Sequence, residues 1–221
     1  MKHIHGLVSI QKSCLFCMLY GSIILNTSVF EQGTGTYTAL SQIVAEALGI
    51  DAKLITVIPW DTDDGPFDSG VGASRVTRVS GPSAYEAAKL ALSELLNRAA
   101  DEMECKFEEL QLDGTFISRI GHSDQIEWTK LVDSSPAVGR FTNEEHERSP
   151  IGSAMVQIAE VAIDKETGRI TLLKLTSAHD VGIVINPTGH QGQINGGVAQ
   201  GLGQAMMEEL IVDQGYVQTL S

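Results

Sequence analysis

The sequence predicts an α+β fold, with helices packed on short mixed β-sheets. Three observations carry this reading. Apolar residues recur at helical spacing over 36–48, 75–99 and 192–210, which marks three amphipathic helices. Short runs of β-branched and other apolar residues lie between turn signals, as strands and hairpins do. With 221 residues, 43% of them hydrophobic and 19% charged, the chain is long enough to bury a substantial core.

The elements follow in order. Tyr37, Leu40, Ile43, Val44, Ala47 and Leu48 form one apolar stripe, and Gly49 is suited to end the helix. Leu54–Ile58 reads as a strand stopped by Pro59. Residues 61–72 are rich in Asp, Gly and Pro and read as a long loop. From about Ser74 the alanine-rich stripe Ala84, Ala87, Ala88, Ala91, Leu95 and Ala99 predicts a helix, with Gly81-Pro82 as a place to kink or restart. Asp113-Gly114 predicts a hairpin between Leu110–Leu112 and Thr115–Ile117. A short helix is expected around Asp124–Val132, and the polar stretch 134–152 reads as a linker. A second hairpin joins Ala154–Ile163 to Ile170–His179. The last helix, over Gly192–Leu210, is expected to bury Ile194, Val198, Leu202, Ala205, Met206 and Leu210.

A formal charge of -13 and a pI near 4.8 argue against nucleic acid and anionic membranes as partners. Three cysteines are too few for a disulfide framework. Cys14 and Cys17 form a CxxC in an apolar stretch with no second pair, which reads as incidental packing. Asp61, Asp63, Asp64 and Asp68 lack the bidentate Glu of a calcium loop and read as turn formers. His179-Asp180 has no serine or cysteine nucleophile in a recognisable elbow; a strand-end histidine packing near Asn186 is expected instead. Arg75 and Arg78 suit either a phosphate contact or a solvated helix start.

Two glycine-rich segments stand out. Gly33-Thr34-Gly35 runs straight into the first helix, and Gln191–Gly203 carries five glycines in thirteen residues. A glycine turn feeding a helix gathers unpaired N–H groups at the positive helix end, which suits a phosphate or other oxyanion. Two such segments suggest one anionic ligand held from both ends. A phosphate loop of the usual nucleotide-binding kind is disfavoured, because no Gly-Lys-Ser/Thr follows.

Several ordered motifs resemble the molybdenum-cofactor-binding subunit of the xanthine dehydrogenase / aldehyde oxidase family of molybdenum hydroxylases. Glu31-Gln32-Gly33-Thr34-Gly35-x-x-Thr38-x-x-x-Gln42 is similar to the family's E-x-G-Q-G-x-x-T-x-x-x-Q. Asp61-Thr62-Asp63 and Gly72-Ala73-Ser74 resemble the loop that follows it. His179-Asp180-Val181-Gly182 with Ile185-Asn186-Pro187 is similar to D-V-G-x-x-x-N-P, and Gly192–Gly203 to G-Q-x-x-G-x-x-x-Q-G-L-G. The resemblance covers roughly residues 31–221. It implies molybdopterin as cofactor, in its plain or cytosine dinucleotide form, contacted by Gly33, Thr34, Gly35, Gly72, Ala73, Ser74 and Gln193. It also implies oxidation of an aldehyde or N-heterocycle with water as oxygen donor. Electrons would leave through [2Fe-2S] clusters and FAD on partner subunits. The implied location is cytoplasmic, with the periplasm as the alternative.

The chain departs from the family pattern in places. Thr34 stands where many members have Gln, and a branch of the family carries G-T-G there. The family's late G-x-G-E segment, with its catalytic glutamate, has no counterpart in the sequence. The domain reading is therefore an unassigned leader or non-family segment over 1–30, a molybdopterin-binding lobe over 31–145, and a second, truncated lobe over 146–221. The rival functional reading is a truncated remnant that is not an enzyme by itself.

Overall fold

The computed structural model describes residues 10–17, 23–63, 65, 67–68, 70–144 and 152–219, and for 10–17, 73, 143 and 144 the backbone alone. By contacts the chain divides into two units: residues 1–145 with 185–221, and residues 146–184. This division groups 185–221 with the first part of the chain, whereas the sequence reading joined it to 146–184.

The first unit is built on a four-stranded sheet in the order β3-β2-β1-β7, comprising β1 (Ile10–Cys17), β2 (Ile23–Thr27), β3 (Ile55–Pro59) and β7 (Val138–Glu144). β1 pairs antiparallel with β2 and β7, and β2 pairs parallel with β3. Parallel neighbours need a crossover, and α1 (Thr36–Leu48) supplies it. α1 begins and ends where its apolar period predicts, with Gly49 in the left-handed conformation at its C-terminus (φ 69°). Three strands of this sheet escape the sequence reading. β1 and β2 lie in the stretch left unassigned, and β7 lies in the stretch read as a linker. The Cys14 and Cys17 side chains lie outside the described residues.

α2 (Val76–Glu102) is continuous through Pro82, so the helix does not restart there. Ser83 Oγ donates to the Val79 carbonyl at 3.1 Å, supporting the turn where the proline ring removes a donor. The alanine stripe is fully buried, and its small side chains let strand β7 approach closely. At Gly139 a Cβ would lie 1.8 Å from the Ala87 carbonyl oxygen, so strand and helix backbones touch there. Arg98 of α2 donates to the carbonyls of Leu131 (3.1 Å), Ser135 (2.6 Å) and Pro136 (3.1 Å), tying down the segment that enters β7. Leu25, Val29, Leu40, Val44, Ala88 and Leu95 belong to one continuous core.

The predicted hairpin forms as β4 (Leu110–Asp113) and β5 (Phe116–Arg119), joined by a third strand, β6 (Gln125–Glu127). The helix expected over 124–132 is thus corrected. Phe116–Ser118 recruit Gln125–Glu127 as a strand, and only α3 (Trp128–Leu131) is helical. Trp128 is buried, filling the end of the core.

α4 (Pro187–Met206) starts five residues before the expected Gly192. Pro187 presets the first-turn φ, and the Asn186 side chain accepts from Gly189 N–H at 3.0 Å. Its expected buried face is only half-buried at Ile194, Val198 and Leu202; Ala205, Met206 and Leu210 are exposed, and Leu210 lies beyond the helix. β10 (Val212–Asp213) and β11 (Tyr216–Val217) form a small terminal hairpin.

The second unit is the predicted hairpin of β8 (Ala154–Ile163) and β9 (Ile170–Asp180), with a register shift at Glu160/Val161. Asp164 closes its turn by accepting from the Glu166 and Thr167 N–H groups. His179 Nε2 bonds Ser177 Oγ of its own strand at 2.6 Å.

Candidate functional site

The parallel pair β2/β3 explains where the site forms. Loops leaving the carboxyl ends of adjacent parallel strands emerge on the same edge of the sheet, the usual place for a binding crevice. From β2 comes the loop 28–35; from β3 comes the loop 60–75. Two cavities of about 520 Å³ and 610 Å³ open at this edge, both lined by Thr34, Gly35 and Gln193. Gln32, Thr36, Ser74, Thr77 and His190 add polar groups to the first, beside apolar Leu40 and Ile43, and Gly33, Asn186 and Thr188 line the second.

Thr34, Gly35 and Gln193 thus line both cavities, joined by Ser74 in the first and Gly33 in the second, from three distant stretches of sequence. Gly72 and Ala73 belong to the same 3-10 turn as Ser74, and Ser74 lines the first cavity; the Ala73 side chain lies outside the described residues. Ser74 takes a positive φ of 54°, unusual for a residue with a side chain. Asn186 and His190 are lining residues that the sequence reading did not single out as candidates. The signal was available: an Asn-Pro at a helix start puts the cap, and the first turn behind it, at one spot.

The glycine loop does not offer free donors, and this corrects the anion-cradle expectation. Gly33 (φ 90°) and Gly35 (φ 80°) curl their N–H groups inward, but onto the chain's own Glu31. Glu31 Oε1 accepts from Gly33 N–H at 2.8 Å and Gly35 N–H at 3.1 Å, and Oε2 accepts from Tyr37 N–H at 3.0 Å. Burial works against the Glu31 charge. The N–H groups of Tyr37, Gly35, Gly33 and Thr34 outweigh it and hold the carboxyl below the ordinary glutamate range. The second glycine-rich segment likewise is no helix start. Gly192–Gly203 lies inside α4, where backbone N–H groups belong to the helix.

Arg75 does not stand in solvent at the helix start. It is buried, 3.4 Å from Asp68 Oδ1, and donates to the Gly70 carbonyl at 3.0 Å. Burial pushes the Asp68 carboxyl above its ordinary range, despite the Gly70 N–H and Arg75 beside it. Asp61 and Asp68 accept from the N–H groups of Asp63 and Gly70, the turn-forming role expected of them.

The polar part of the lining is therefore hydroxyl, amide and imidazole, with no Lys, Arg, Asp or Glu among the described lining residues. Gly33 and Gly192 face open space where a Cβ would sit, leaving room at both walls. A volume of this size takes a ligand of several fused rings.

The profile of the molybdopterin cofactor-binding domain family matches residues 13–221. The chain belongs to this family. Among curated relatives of this molybdopterin-binding domain, it is 31% identical to the nicotine 6-hydroxylase large subunit of Paenarthrobacter nicotinovorans, over 91% of the chain and 26% of that protein. It is 28% identical to the putative xanthine dehydrogenase molybdenum-binding subunit of Escherichia coli (strain K12), over 87% of the chain and 27% of that protein. The carbon monoxide dehydrogenase of Oligotropha carboxidovorans superposes with a TM-score of 0.83 at 25% identity, over 96% of the chain and 28% of its own. The chain spans about a quarter of the length of the curated relatives it matches. The match begins at residue 13, so it takes in part of the stretch left unassigned by sequence.

The donor set fits the molybdopterin that defines the family. A pterin is a flat, neutral, many-atom hydrogen-bonding ring system, and neutral amides and hydroxyls satisfy it without a buried charge. Among the described residues no helix is long and apolar enough to cross a membrane.

Proposed function

We propose that the cleft binds molybdopterin and that the chain contributes this binding to a molybdenum hydroxylase of the xanthine dehydrogenase / aldehyde oxidase type. The observation that carries the reading is that Thr34, Gly35 and Gln193 line both cavities, with Ser74 in the first and Gly33 in the second, and no charged side chain among the described lining residues. In this reading Thr34 and Ser74 hold the ligand by their hydroxyls and Gln193 by its amide. Gly33 and Gly35 keep the wall thin, and Gly72 and Ala73 shape the turn that presents Ser74. The bound cofactor would supply the redox chemistry for oxidising an aldehyde or N-heterocycle with water as oxygen donor.

The reading extends to the cytosine dinucleotide form of the cofactor, to partner subunits carrying [2Fe-2S] clusters and FAD, and to a cytoplasmic location. That relatives are named as large or molybdenum-binding subunits supports the partner subunits, and the resemblance implies the rest. The test is to purify the 221-residue chain from cells that make molybdopterin and to oxidise any bound pterin to its fluorescent form. Pterin in the folded protein supports the proposal; a folded protein free of pterin contradicts it.

A further inference from the structure

A glycine at a helix N-cap has no side chain with which to cap, and α1 starts at such a residue, Gly35. Its first turn and the preceding loop would leave three N–H groups pointing into one nest, the arrangement that captures phosphate elsewhere. Here the nest is filled from within. Glu31 stands two, four and six residues before its three donors, and the three contacts of 2.8–3.1 Å use both carboxylate oxygens. On the cleft side the loop shows the Thr34 hydroxyl, itself bonded to Thr36 Oγ1 at 3.0 Å.

We propose that Glu31 is the positioning residue of the cleft: it occupies the Gly33/Gly35/Tyr37 nest, so that the loop receives a neutral hydrogen-bonding part of a ligand and rejects phosphate. This deepens the cofactor reading and rests on it for the identity of the ligand. The physical reason is twofold. The Gly33, Gly35 and Tyr37 donors are already taken, and an arriving anion meets a fixed charge of its own sign. With the loop held at its two positive φ values, Thr34 and Gln193 face one shared space. The anionic part of any ligand is then bound away from this loop.

The test uses the full chain, 15N-labelled, with inorganic phosphate as probe. In the wild type the amide resonances of Gly33, Gly35 and Tyr37 stay in place as phosphate is added. In Glu31→Ala, where the nest is open, the same three resonances move. Glu31→Gln keeps one acceptor oxygen but turns an NH₂ toward one side of the nest, so at least one of the three amides shifts even without phosphate. The proposal is overturned if phosphate moves the wild-type resonances as it moves those of Glu31→Ala. It is equally overturned if Glu31→Gln leaves all three unchanged. Should Glu31→Ala not fold, the wild-type titration and the Glu31→Gln comparison still decide. None of these readouts involves the cofactor, so they fail only if the Glu31 contact is absent. Failure of the cofactor reading shows separately, as wild-type protein without pterin.

Discussion

The side-chain nitrogen of Asn186 stands 3.5 Å from the position a Cβ would take on Gly35. Each residue is the N-cap of its helix, Gly35 for α1 and Asn186 for α4, so two helix starts meet across the cleft wall. A single methyl just fits, yet φ 80° is left-handed and costs a side-chain-bearing residue about 1–2 kcal/mol. Gly35→Ala is expected to lower stability by that amount in chemical denaturation. Gly35→Val adds branches that reach Asn186, and is expected to lose bound pterin, read by fluorescence after oxidation.

Gln193 lines both cavities and carries an amide that donates and accepts. Removing it leaves ligand groups unpaired, at a cost of about 1–3 kcal/mol. Gln193→Ala is expected to weaken pterin retention without lowering the melting temperature. A variant that retains pterin as the wild type does would remove Gln193 from the site.

Gly139 is where the fold has least room. A Cβ there would lie 1.8 Å from Ala87 O and 2.7 Å from Ala91 N, both backbone atoms that cannot turn aside. Gly139→Ala is expected to cost about 3 kcal/mol or more, since helix and strand must separate. Urea unfolding measures this directly, and a wild-type midpoint would contradict the close packing of α2 and β7.

Glu31 titrates below its ordinary range, so its sign is that of a stabilising carboxylate. Its contribution is full above the unfolded pKa and is lost as pH falls through the lower folded pKa. Asp68, raised by burial, acts in the opposite sense: its cost grows as pH rises through its unfolded pKa toward the raised folded value. Glu31→Gln is therefore expected to flatten the acid limb of the stability profile, measured by thermal melts below pH 5 or so. An acid limb as steep as the wild type's would refute the assignment.

The hairpin of the second unit exposes Met155, Val156, Ile158, Ile163 and Leu173, each between 58% and 65% accessible. Exposed apolar side chains in such number favour association. The chain expressed by itself is expected to elute as oligomers in size-exclusion chromatography. A monodisperse monomer across a concentration series would speak against this.

Local patterns in the sequence identified α1, α2 and both main hairpins, because each is written in its own periodicity or turn chemistry. They did not reveal β1, β2 and β7. The pairing of Phe16 with Val138 joins segments with no local signal for one another. Gln125–Glu127 became a strand because β5 offered an edge, a tertiary demand outweighing a weak helical pattern. At the site, the motif residues Gly33–Gly35, Ser74 and Gln193 were legible as glycine and hydroxyl signals. That Glu31 would consume the loop's donors was not, since an acid two residues before a glycine turn reads as ordinary surface charge.

The edge strand β7 closes the main sheet against β1, its register partner from the far end of the unit, and it does so flat against α2 at Gly139. That arrangement has a kinetic meaning. β4–β6 and the β8/β9 hairpin can form from neighbours in sequence, but the β1–β7 ladder requires closure of a loop spanning most of the unit. Until it closes, β1 has a bare edge and the alanine face of α2 has no cover. The slow phase of refolding should accordingly be the docking of β7, with the glycine loop and its Glu31 clamp already in place before the sheet is complete.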